Sequence, residues 1–143
     1  MYIVLQQLHS YLAWVFLLIL ISSILAAIVT MIRKKPFSET IRKTALAGFI
    51  VSHLQLLIGI LLYFISPFGF YSFSGEAMSD SVMRLYLVEH PLTMIIGIVL
   101  ISFGYIKAKK PGDDVRRFRT IILFYSAGLL FFLIRIPWHS WPF

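Results

Sequence analysis

Seven side chains in this sequence could do chemistry in an apolar setting: His9, His53, Gln55, Glu89, His90, Arg135 and His139. A neutral imidazole can ligate a transition metal or a haem iron, a carboxylate can pair with a cation, and a guanidinium can hold an anionic ligand group. There is no cysteine, so disulfides, thiolate metal sites and covalent c-type haem attachment are all excluded. No Ser/His/Asp arrangement, no pair of carboxylates at matched depth and no phosphate-cradling glycine loop is present, which disfavours a hydrolase or transferase and leaves an electron carrier or accessory subunit ahead of an enzyme.

The elements that must position these residues follow from composition. Apolar residues make up 59% and charged residues 13% of 143, far from the balance of a soluble domain. Four segments, Tyr11–Ile32, Thr44–Ser66, Leu85–Ile106 and Thr120–Trp138, are apolar over roughly 18 residues or more, enough to cross a hydrocarbon core of ~30 Å. The expected fold is all-α, an integral membrane four-helix up-down-up-down bundle. It is a single transmembrane domain over 1–143, with helices at about 3–34, 43–66, 81–109 and 116–138. The first segment has no basic region before it, and its apolar run is longer than the ~7–15 residues of a signal peptide, so it reads as a retained anchor.

Basic residues set the orientation. Arg33, Lys34, Lys35, Arg42 and Lys43 fill the first connection, and Lys107, Lys109, Lys110, Arg116, Arg117 and Arg119 fill the third, whereas the second holds Arg84 beside Glu76 and Asp80. The first and third connections are expected in the cytoplasm, and both termini on the outer, periplasmic or extracellular, side. The net charge of +7 is accounted for by these helix-end clusters facing lipid headgroups, which speaks against nucleic acid as a partner.

Pro36, Pro67 with Gly69, and Pro111–Gly112 end helices, and Ser79, Asp80 or Ser81 caps the third. The connection Pro67–Ser79 carries Phe68, Phe70, Tyr71 and Phe73 and is expected to lie in the membrane interface as a partial lid. Counting ~1.5 Å per residue from the basic end places His53 roughly 15 Å up, His90 25 Å, His139 30 Å and His9 36 Å. The far third of the bundle therefore gathers His9, His90, His139, Arg135 and Glu89.

Faces add a second constraint. His90, Thr93, Gly97 and Gly104 share one side of helix three, His9, Ala13, Phe16, Leu20, Ser23 and Ala27 one side of helix one, and Gly48, Ser52, Gln55 and Gly59 one side of helix two. Small residues beneath a histidine leave room for a flat macrocycle, but they are also what membrane helices use to pack closely, and for the glycines packing is the stronger reading. His9 and His139 sit at a level marked by Trp14, Trp138 and Trp141, where a histidine can simply be solvated, and His53 can serve as a hydrogen-bond donor across the bundle. His90 stands out because Pro91 follows it, and that proline frees the Leu87 carbonyl, which then needs a new partner. Arg135 has three outlets: lipid headgroups, Glu89, or a ligand carboxylate.

The strings "LHSYLAW" (8–14), "HLQLLIGILLYFISPFG" (53–69), "LYLVEHPLTMIIGIVLISFGYIKAKK" (85–110) and "FYSAGLLFFLIRIPW" (124–138) resemble a family of small four-helix bacterial membrane proteins often labelled cytochrome b-like. The resemblance implies His9 and His90 as the family's histidines, with His53 variable and His139 outside the shared strings. A non-covalent haem b needs one or two imidazoles, an apolar slot and polar groups near its propionates, all of which the chain can supply. His90 is common to every candidate ligand pair, with His9, His53 or His139 opposite. The counted depths separate His90 from His9 and from His53 by roughly 10 Å, which weighs against a bis-histidine site on those pairs. Three classes stay open: a haem b electron carrier, between quinol and an outer acceptor; a cofactor-free accessory or assembly subunit of a larger respiratory or secretion complex; and a quinone, metal or small-molecule binder. A homo-oligomer is compatible with each.

Overall fold

A chain immersed in lipid has to satisfy its backbone polar groups internally, and helices do so segment by segment. The computed structural model describes residues 1–141, and their regular structure is helical throughout. In chain order the α-helices are α1 (Tyr2–Ile32), α2 (Glu39–Ile65), α3 (Gly75–Ser79), α4 (Ser81–Arg84), α5 (His90–Ala108) and α6 (Asp114–Arg135). A π-helical turn, Leu85–Glu89, joins α4 to α5 without a break. Four runs are long and apolar enough to cross a membrane: α1, α2, the continuous run Ser81–Ala108, and α6.

Local chemistry explains the boundaries. Ser38 accepts the Ile41 amide and opens α2 at Glu39, four residues before the expected start, because a serine cap with an acid in the first turn suits a helix N-terminus. Asp80, one of the three expected caps, accepts the Val82 and Met83 amides at 2.9 and 2.8 Å. Asp113 caps α6 through the Arg116 amide. α6 stops at Arg135, short of Trp138, because Pro137 forces the residue before it out of helical geometry. The tight turn after α2 depends on Gly69, where an added Cβ would lie 2.0 Å from the Tyr63 carbonyl oxygen.

α1 lies against α2 and α6, and α5 against α2 and α6, so α1 and α5 face each other diagonally across the bundle. The core between them is made by Phe16, Leu20, Ile24, Ile101, Ile121, Tyr125 and Phe132. The few polar groups at this depth have partners: Ser23 donates to the Ile19 and Thr44 carbonyls, and Tyr125 to the Ala45 carbonyl at 2.6 Å. Such bonds are needed where no water can substitute. α5 and α6 approach most closely at Gly97, Gly104 and Gly128, where an added Cβ would fall 2.5 Å from the Phe132 ring, 2.7 Å from Phe124 Cβ and 2.9 Å from the Gly97 carbonyl respectively. The small-residue stripe below His90 is therefore a packing seam against α6.

Candidate functional site

The end of the bundle away from the basic connections holds a cavity of about 790 Å³, within the ~300–1,000 Å³ range of sites that enclose small ligands. Its apolar floor is formed by Phe16, Leu17, Leu56, Met94, Ile98 and Phe132. Polar groups, Tyr2, Gln6, Ser66, Tyr86, His139 and Ser140, gather toward the helix ends. The segment after α6 folds back over this end: Trp141 stacks on Trp14 at 4.2 Å, its indole donates to the Ser10 carbonyl, and Tyr86 is hydrogen-bonded to Ser140. From the aromatic connection Phe68 and Phe73 line the cavity, in keeping with the partial lid expected there.

His9 from α1 and His90 from α5 meet across the cavity, with ring centres 6.3 Å apart and ring planes at 79°. The 10 Å offset counted from the sequence is corrected here. That count took Arg33 and Lys107 as level and the helices as upright, whereas a 31-residue α1 is roughly 46 Å long and must tilt or overhang a ~30 Å core.

His90 is oriented from three sides. Its Nδ1 lies 2.9 Å from the Arg135 carbonyl oxygen. A carbonyl only accepts, so Nδ1 carries a ring proton, and in the neutral imidazole Nε2 keeps its lone pair. The Leu87 carbonyl freed by Pro91 accepts from the Tyr63 hydroxyl of α2 at 3.0 Å, the replacement partner that the proline requires. The π-helical turn that ends at Glu89 adds a residue to the helical path, and one residue turns every later side chain by ~100°; it thus sets the register in which His90 faces α1. Tyr63→Phe is expected to cost about 1–3 kcal/mol through an unpaired buried carbonyl, read as thermal unfolding in detergent. The loss should shrink in a Pro91→Ala background, where a restored amide takes the Leu87 carbonyl; equal losses in both backgrounds would contradict this role.

Around His9 the hydrogen bonding is incomplete. Gln55 donates its amide to the His9 main-chain carbonyl at 2.9 Å, yet Gln55 Oε1 and His9 Nδ1 are both buried with no partner among the described residues. Gly59, one turn along α2, admits the imidazole: an added Cβ would lie 3.3 Å from His9 Cε1.

The other candidates fall elsewhere. His53 bonds the Phe49 carbonyl at 2.7 Å and approaches Ser102 at 3.4 Å, and it does not line the cavity. His139 lines the outer rim beside Tyr86, with ring centres 6.2 Å apart. Arg135 also lies outside the cavity lining; its Nε is 3.1 Å from Glu89, which Arg84 holds from its other oxygen at 2.9 Å. The ion pair with Glu89, one of the three outlets weighed for Arg135, is formed. Sequence reasoning missed Arg84 as the second partner and Tyr63 as the orienting hydroxyl. No group of three or more His, Cys, Asp or Glu able to hold a metal ion is found among the described residues. No family model matches the chain, and no curated protein or solved structure does.

Proposed function

We propose that this chain is a haem b-binding membrane protein that carries electrons, with His9 and His90 as the residues that would hold the haem iron. The observation that carries the reading is the pair of imidazoles from α1 and α5 brought together edge to face at the cavity. Imidazoles from two different helices, with ring centres 6.3 Å apart, would be close enough for both to hold the iron of a haem, which would supply one-electron redox chemistry there. His90 already directs its proton to a backbone carbonyl, the arrangement that fixes a ligating histidine and raises its basicity. Ligation through His9 Nε2 would place that ring's proton on Nδ1, and Gln55, which already reaches the His9 main chain, carries the unpartnered acceptor oxygen. The apolar floor suits the macrocycle, and the hydroxyls, Gln6 and His139 at the rim suit the propionates.

Bound haem supplies one-electron redox chemistry; the chain's residues hold the ligand axis, exclude water and shape the potential through burial. We place the haem near the outer face of a bacterial inner membrane on the strength of the basic connections at the opposite end. Protein purified from haem-replete cells should contain about one haem b per chain by pyridine haemochrome assay, and a reporter inserted at Ser38 should be active in the cytoplasm. Colourless protein would sink the carrier reading in favour of an accessory subunit.

A further inference from the structure

At the basic end, α6 presents Arg116, Arg119, Thr120 and Leu123 on one face, and with Asp113, Val115 and Phe124 they line a shallow, open hollow of about 250 Å³ along that helix. The basic residues around it differ in how they are engaged. Arg117 is committed: it donates to the Ala108 carbonyl, lies 3.5 Å from Asp114 and stacks 3.9 Å above the Phe37 ring. Arg116 and Arg119 are exposed and form no ion pair among the described residues. The Asp113 carboxylate accepts the Arg116 amide in capping α6 and is the one acidic group in the lining, outnumbered there by the two arginines. Lys107 of α5 reaches over the Phe124 ring at 5.2 Å, adding a third cation beside the hollow. Below these charges the surface turns apolar: Leu123 is 66% exposed and lies one turn further into the membrane-crossing run.

We propose that this hollow binds the headgroup of an anionic phospholipid. Two free guanidiniums one turn apart can share a phosphate between them, and the Leu123–Phe124 shelf offers an acyl chain a path along α6. Basic pockets beside membrane-crossing helices are suited to anionic headgroups in this way. The shelf is what distinguishes a lipid from a soluble phosphate, which could use the arginines but gain nothing from Leu123. The site is at the far end of the bundle from His9 and His90 and stands independently of the haem reading.

The test is native mass spectrometry of the delipidated full chain in detergent, titrated separately with phosphatidylglycerol, phosphatidylcholine and inorganic phosphate. Phosphatidylglycerol should bind in preference to phosphatidylcholine, and Arg116→Gln/Arg119→Gln should weaken it about thirtyfold, from two charges at the usual contribution of each. Arg33→Gln/Lys35→Gln, which removes the same charge at the same end but outside the hollow, should change binding by less than about threefold. Equal effects of the two double variants, equal binding of the zwitterionic lipid, or displacement of phosphatidylglycerol by millimolar phosphate would each overturn the proposal.

Discussion

His90→Ala and His9→Ala are each expected to lower haem per chain at least about tenfold, since even outer partners of metal ligands contribute factors of ~10–100. Both variants should still insert and fold, because neither ring carries the core: the buried cluster of Phe16, Leu20, Ile101, Tyr125 and Phe132 lies below them. His53→Ala is the internal control. That imidazole is engaged by the Phe49 carbonyl and Ser102 and does not line the cavity, so its removal should cost some stability and leave haem content near wild type. Absorbance of matched protein concentrations reads all three. Equal loss in His53→Ala, or full retention in His9→Ala, would break the assignment of the ligand pair.

The second large effect is expected at the seam between α5 and α6. Gly128→Val places a branched side chain where even a single Cβ would be 2.9 Å from the Gly97 carbonyl and 3.1 Å from Ile101 Cγ1. The obstruction is backbone on one side and a fully buried isoleucine on the other, so relief requires the helices to separate. Overpacking of this kind costs about 1–3 kcal/mol and more where backbone must move. Thermal unfolding in detergent should show the loss, while Gly75→Ala, with nothing within 4 Å of its added Cβ, should fall within about 0.5 kcal/mol of wild type. Equal stability of Gly128→Val and wild type would mean the two helices do not approach closely at this point.

Apolar run length made the four crossing segments legible, and side-chain chemistry made some of their ends so. Pro67 with Gly69 and the acidic cap at Asp80 mark boundaries within the chain's own local geometry, so they stand where the residues place them. The basic pair Arg42–Lys43 reads as connection and so puts the α2 start late, whereas Arg42 pairs with Glu39 inside the first helical turn. His9 and His90 could be named individually, and Pro91 correctly signalled a carbonyl in need of a partner. What could not be read was which side chains meet across the bundle. Depth counted along separate helices carries no information on their tilt, so the His9–His90 approach was missed. Tyr63 is 24 positions from Leu87, and nothing local marks it among the chain's tyrosines. The π-helical turn likewise arises where Pro91 removes an amide and tertiary contacts choose the compensation.

The most direct test of the account is low-temperature electron paramagnetic resonance of the oxidised protein, purified without added ligand. Two imidazoles with planes near 79° on one ferric haem should give a low-spin, strongly anisotropic signal, and His9→Ala should convert any residual haem to a high-spin form with one axial position open. A low-spin signal that survives His9→Ala unchanged, a purely high-spin wild type, or no haem at all would contradict the pairing of His9 with His90.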